Sequence, residues 1–272
     1  VYKRQQQDQE KQQDQEKQQD QEKQQDQEKQ QDRDKISKED AEKMLEAIEQ
    51  QEKKLQEKLQ KKKVKGSKNK NTVLLLHGEP TWGYLYRNFI DPLVNNGLRV
   101  VVPDLPGFGK SDATNLNMFE IAKLVNNLLT NLGIRKFDLV GHSMGGMLAQ
   151  IVSADFSDSV NKLVLSCTHK GYALPPQSPL RKPYSQRLEE RKKLSNEEFG
   201  KLRIKKMLPE LKDKEIFSFL SIISEEITEG SIMSGGIAMQ TLDTSTSLLK
   251  VNQPCLILKG SKDIVVSNDR SN

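Results

Sequence analysis

The chain has little of what usually marks a special chemistry. Its 272 residues contain two cysteines, three histidines and one tryptophan, and aromatic residues make up 5%. Cys167 and Cys255 both lie in apolar, strand-like runs. That pattern predicts buried free thiols in a reducing, cytoplasmic compartment rather than a disulfide framework or a metal site. No metal and no cofactor are expected. No run of 18 apolar residues occurs, so no transmembrane segment is predicted. No signal or transit peptide is legible in a chain that opens on Val1. A dominant charge is missing too. Up to Asn71 the chain has 19 Lys+Arg against 17 Asp+Glu, and the rest has 24 against 21. Neither part is basic enough to imply a nucleic-acid partner.

The low hydrophobic share, 34%, and the high charged share, 30%, average two unlike parts. Residues 6–35 repeat the hexad Gln-Gln-Asp-Gln-Glu-Lys four times and end in a degenerate fifth copy. A period of six matches neither 3.6 nor 3.5, and the unit has no apolar residue to bury. Residues 1–35 therefore read as a low-complexity tail, either disordered or a solvated helix laced by charge pairs. From Ser37 the pattern changes. Leu45, Ile48, Leu55 and Leu59 form a broken stripe behind a Ser37-x-x-Asp40 cap, which predicts an amphipathic helix ending near Val64. The stripe leaves self-association through a short coiled coil open. A lysine-rich linker closes this segment, residues 36–70.

The globular part is expected over residues 72–272. Apolar runs at Val73–Leu76, Arg99–Leu105, Phe137–Val140, Lys162–Cys167 and Pro254–Lys259 alternate with helical stretches at Tyr84–Asn95, Met118–Leu132 and Met147–Phe156. Continuous apolar strands alternating with helices specify an α/β fold: a doubly wound, mostly parallel sheet covered on both faces. Between residues 168 and 247 the alternation stops. Proline-rich sequence leads into charged helical segments with a capping box at Ser195-x-x-Glu198 and apolar Ile216, Phe217, Leu220 and Ile223 on one predicted face. This reads as a helical cap inserted between two strands.

The most informative run is Phe137-Asp138-Leu139-Val140-Gly141-His142-Ser143-Met144-Gly145-Gly146. A strand passes straight into Gly-x-Ser-x-Gly and then into a helix. This is the pattern of a nucleophile elbow, a strained turn that lifts one serine above the carboxyl edge of a parallel sheet. Two upstream motifs accompany it: His77-Gly78-Glu79-Pro80, and Asp104-Leu105-Pro106-Gly107-Phe108-Gly109-Lys110-Ser111-Asp112. A fourth, Pro254-Cys255-Leu256-Ile257-Leu258-Lys259-Gly260-Ser261-Lys262-Asp263, matches a strand followed by an acid-bearing loop. Together these motifs resemble the α/β-hydrolase superfamily from about Thr72 onward.

The resemblance implies a serine hydrolase acting on a small-molecule acyl ester. Ser143 would attack the acyl carbonyl. The backbone N–H groups of Met144 and Glu79 would bind the oxyanion, and Asp263 would orient a histidine base. That base is expected well beyond the acid, in the order Ser…Asp…His, but only nine residues follow Asp263. His77 and His142 read as structural. His169 reads as a surface or cap-hinge residue, at a rim position that carries the acid in some relatives. About five strands are expected of the family's eight. On this reading the chain is a partial frame or a divergent product, inactive as written.

Residues His77 to Arg87 also look strongly like haloalkane dehalogenases. Those enzymes use aspartate at the elbow, which forms an alkyl ester that water can cleave. Serine would form an ether that such a site cannot hydrolyse. Ser143 therefore points to acyl substrates: esters, lactones, or diketones cleaved at a C–C bond. A non-catalytic hydrolase-like binding module is the alternative.

Overall fold

The computed structural model describes residues 71–266. The hexad repeat, the expected amphipathic helix with its self-association surface, and the lysine-rich linker lie outside the described residues.

Five strands form one sheet: β1 (Thr72–Leu76), β2 (Arg99–Val101), β3 (Phe137–His142), β4 (Val160–Ser166) and β5 (Cys255–Leu258). Their order is β2-β1-β3-β4-β5, and every pairing is parallel. The chain steps from β1 outward to β2, then returns to the other side of β1 for β3. The crevice above the carboxyl ends of β1 and β3 is therefore the topological switch point, the usual ligand site of an open α/β sheet.

Strand β1 sends apolar side chains to both faces of the sheet, and both are covered. Val73 and Leu75 pack with Tyr86, Leu93 and Val100 on one face. Leu74 and Leu76 join the larger cluster on the other. Helix α1 (Arg87–Asn95) belongs to the first face; α2 (Met118–Asn131) and α3 (Met144–Asp155) belong to the second. Helix α2 opens on an Asn117 cap closed reciprocally by Glu120, and buries Met118, Ile121, Ala122, Val125 and Leu129 at helical spacing. Helix α3 is buried from Met144 through Ser153, as expected of a helix enclosed on all sides.

The expected cap is present between β4 and β5. It consists of α4 (Lys182–Lys193), α5 (Asn196–Met207), α6 (Lys214–Glu225), α7 (Glu229–Thr241) and the short α8 (Ser245–Leu248). The Ser195–Glu198 capping box starts α5. The base of the cap is pinned by an antiparallel bridge between Gly171 and Asp243, and Thr244 N–H donates to the Lys170 carbonyl at 2.9 Å. Among the described residues no helix is long and apolar enough to cross a membrane.

Three expectations need correction. The Arg99–Leu105 run supplies only a three-residue strand. Beyond Val101 the backbone leaves the sheet, because Leu105 N–H bonds the His77 ring and the Asp104 carboxylate takes the N–H groups of Gly83 and Lys110. Cys255 is exposed rather than buried, since β5 pairs only with β4 among the described strands and is exposed along its whole length. Ile216 is 48% exposed, whereas Ile223 is buried. Ile216 and Ile223 lie two turns apart on one face of α6, but the buried residues, Ser221, Ile223 and Ser224, all fall in the second half of the helix, and Ile216 stands in its exposed first turn.

Candidate active site

Strand β3 ends at His142 and α3 begins at Met144, so the whole reversal falls on Ser143. Its backbone sits at φ 51, ψ −117. A positive φ costs a non-glycine residue about 1–3 kcal/mol and persists only where the surroundings impose it. Here they do. Ser143 N–H donates to the Ser166 carbonyl at 2.9 Å, and the Ser143 carbonyl accepts from the N–H groups of Gly146 and Met147. The Thr168 hydroxyl also donates to that carbonyl, at 2.7 Å. Helix α3 packs so tightly on β1 that a Cβ on Gly145 would stand 2.2 Å from the Leu76 carbonyl oxygen. The Ser143 hydroxyl is not used as a helix cap. Ser143 is half-buried at the switch point.

Two backbone segments meet at this serine. One is the start of α3, where the Met144 N–H belongs to the first turn, lacks an intrahelical acceptor and carries the positive end of the helix dipole. The other is the loop after β1. A Cβ on Gly78 would lie 2.8 Å from the Ser143 Cβ, so Glu79, the next residue, begins within reach of the same point. The Gly78 carbonyl is tied down by the N–H and hydroxyl of Thr81 at 3.0 and 2.8 Å. The Glu79–Pro80 peptide is cis.

His77 anchors this loop. It is fully buried. Its Nε2 accepts from Leu105 N–H at 2.9 Å, which leaves the ring proton on Nδ1, 3.1 Å from the Gly78 carbonyl. Burial lowers its pKa from 6.5 to about 4, with Gly78 and Asp104 opposing the shift. His77 is therefore a neutral structural bridge between two loops of the site.

Asp263 follows β5 on the same carboxyl edge of the sheet. Its Oδ1 accepts from Val265 and Val266 N–H at 2.9 Å each. Its charge also reaches His142, whose pKa is lowered by burial and pulled back up first by Asp263. His142 Nδ1 lies 3.4 Å from the Ser166 hydroxyl. His169 is 6% exposed and sits at the base of the cap, so the surface alternative is corrected in favour of the hinge. Its Nδ1 accepts from Gly171 N–H at 3.0 Å, and its ring meets Tyr172 edge-on at 4.7 Å.

The cap packs onto the residues that flank the serine. Gly235 of α7 approaches closely enough that its Cβ would lie 3.2 Å from the Phe108 ring and 3.8 Å from both Glu79 Cγ and Met144 Sδ. Leu105, Phe108, Met144, Leu148, Gly235 and Ala238 enclose an apolar cavity of about 10 Å³. That is room for roughly one water. The Glu79 side chain reaches up into the cap, where it pairs with Arg187 of α4.

The alpha/beta hydrolase fold family matches residues 71–213. The chain belongs to that family. A haloalkane dehalogenase from Mycobacterium marinum is 36% identical over 98 residues, 35% of this chain and 33% of that protein. A 2-hydroxy-6-oxononadienedioate/2-hydroxy-6-oxononatrienedioate hydrolase from Paraburkholderia phymatum is 39% identical over 107 residues, 35% of each chain. The matched stretch thus spans about a third of these relatives' length. Among solved structures, the esterase from Exiguobacterium antarcticum superposes with a TM-score of 0.64 at 22% identity, covering 74% of this chain and 77% of that one. The enol-lactonase from Burkholderia xenovorans LB400 gives 0.64 at 16% identity, over 75% and 79%. At these identities the superpositions show the fold.

Within this alpha/beta hydrolase domain the structure gives roles to residues that the sequence motifs left without one. Thr168 braces the elbow from the end of β4. Asp104 holds the N–H groups of Gly83 and Lys110, linking the β1 and β2 loops. Arg187 and Arg203, on α4 and α5 of the cap, are buried, each 7% exposed. The paired glycines of α7, Gly235-Gly236, were the readable signal that this helix packs closely on something. Among the described residues no group of three or more His, Cys, Asp or Glu side chains could hold a metal ion.

Proposed function

We propose that residues 72–272 form a hydrolase that acylates Ser143 with carboxylic esters or related acyl substrates. The observation that carries this is the position of Ser143: a lone strained residue between β3 and α3, at φ 51, above the switch point. The Ser143 hydroxyl attacks the acyl carbonyl and gives its proton to a base, and the carbonyl oxygen becomes an oxyanion. The N–H groups of Met144 and Glu79 receive it, assisted by the α3 dipole. Collapse of this intermediate expels the alcohol, which takes that proton up, and leaves acyl-Ser143. Asp263 is the carboxylate assigned to orient the base.

The base is the weak point of the machinery. His77 spends both ring nitrogens on backbone groups. His142 leans toward Ser166 and Asp263. His169 Nδ1 is engaged by the Gly171 backbone, 3.0 Å from its N–H and 3.3 Å from its carbonyl oxygen. We therefore assign the 272 residues as they stand a slow turnover. This engagement of all three histidines also favours a second reading, a hydrolase-like module that binds an acyl ligand without turning it over.

Within the enzyme reading, a C–C bond hydrolase or a lactonase stands beside the esterase. The named activity of the C–C hydrolase relative falls within this range. Dehalogenation fits least, because an ether formed on Ser143 has no route to hydrolysis. Release of p-nitrophenol from p-nitrophenyl acetate, with acetyl carried on Ser143, tests the proposal. A burst without an acetylated Ser143 would refute it.

A further inference from the structure

The cap presents more buried positive charge than the protein balances at this point. Arg187 of α4 and Arg203 of α5 are each 7% exposed. Glu79 pairs with Arg187, with its side chain 5% exposed. Arg203 lies within electrostatic reach of that pair, since the Arg187 and Glu79 charges both act on it. Glu190 also reaches Arg203, but it is paired with Lys206. Two guanidiniums therefore share one carboxylate. Hydrogen bonding is incomplete as well. Among the described residues Arg187 Nε, Arg203 Nε and Glu79 Oε1 are buried without a partner, and so is the indole Nε1 of Trp82 on the same loop. Buried guanidinium N–H groups aimed at no acceptor are costly, and they suit a planar anion.

The cluster is also in the right place. Glu79 joins the two sites: its backbone follows Gly78, which abuts Ser143, while its side chain enters the cluster. We propose that Arg203, with Arg187, binds a carboxylate carried by the acyl substrate, so that the preferred substrate is an acidic ester or half-ester rather than a neutral one. The proposal rests on the acyl-hydrolase reading of Ser143 and deepens it. The substrate carboxylate supplies the missing negative charge, and its two oxygens meet donors that the protein leaves unpaired. Its acyl carbonyl is then directed down toward Met144 and Glu79. Arg203 is a specificity residue in this scheme and takes no part in bond making.

Binding tests this separately from turnover. Isothermal titration of the full chain uses monomethyl glutarate as probe, with dimethyl glutarate as its neutral counterpart and inorganic phosphate as a simple anion. The proposal expects the half-ester to bind at least tenfold more tightly than the diester and than phosphate. Ser143→Ala should bind it equally well, because no bond to serine is needed. Arg203→Gln should lose at least tenfold in affinity, and Arg203→Lys, which keeps the charge without the planar fork, should recover only part. Circular dichroism establishes that both variants are folded. Equal affinity for half-ester and diester, equal affinity for phosphate, or unchanged binding by folded Arg203→Gln or Arg203→Lys would overturn the subsite. Retained half-ester binding in a chain whose Ser143 never acylates would instead refute the hydrolase reading and leave the subsite standing.

Discussion

Gly78 stands against Ser143 so closely that a Cβ on the glycine would lie 2.8 Å from the serine Cβ. The same Cβ would meet the His142 carbonyl at 3.1 Å, so backbone as well as side chain blocks it. Gly78→Ala should therefore push the β1 loop away from the elbow. The expected result is a fold that survives with about 1–3 kcal/mol less stability. The rate of Ser143 acylation should fall about 100-fold, because a displacement near 1 Å is enough to ruin an aligned site. Thermal unfolding and acylation kinetics, run on the same preparation, measure both.

Thr168 holds the elbow from the other side through its 2.7 Å bond to the Ser143 carbonyl. Thr168→Val keeps the shape and removes the donor. The expected cost is about 0.5–1.5 kcal/mol, or a Tm lower by a few degrees for a domain of this size. A larger loss of acylation rate than of stability would mark Thr168 as a positioning residue.

Stability should fall in mild acid. His77 is buried neutral, with its pKa lowered from 6.5 to about 4. Between those values the unfolded chain binds the proton and the folded chain does not. The neutral-pH stability is complete above pH 6.5 and drains away as the pH drops toward 4, by about 3 kcal/mol for this one group. His142, also lowered by burial, adds in the same direction. Urea unfolding at a series of pH values should show the slope, and His77→Gln should flatten it while lowering stability throughout.

Glu79→Gln leaves Arg187 and Arg203 buried without their shared carboxylate. Breaking a buried pair by removing one partner costs about 3–5 kcal/mol. Removing both members with Glu79→Gln and Arg187→Met should cost less than Glu79→Gln alone. A double-mutant cycle on chemical denaturation reads the difference.

The sheet and the elbow were legible because their signals are local. Five apolar runs became the five strands, and Gly141-x-Ser143-x-Gly145 after a strand became a single-residue turn at Ser143. The failures have physical causes. Arg99–Leu105 contains the apolar run Val100–Val102, but Pro103 follows it, and Asp104 and Leu105 are claimed by tertiary hydrogen bonds, which no propensity reveals. Cys255 sits in a sequence as apolar as any other strand, and its exposure depends only on what neighbours β5. Glu79 was read through its backbone N–H alone. Its side chain gains meaning only from Arg187, which is 108 residues away.

Phosphonylation by a fluorophosphonate probe, located by peptide mass spectrometry, tests the central claim about Ser143 most directly. The account predicts one adduct, on the peptide containing Ser143, formed slowly, accelerated by added imidazole and absent from Ser143→Ala. No adduct on Ser143 after prolonged exposure, or labelling that persists in Ser143→Ala, would contradict it.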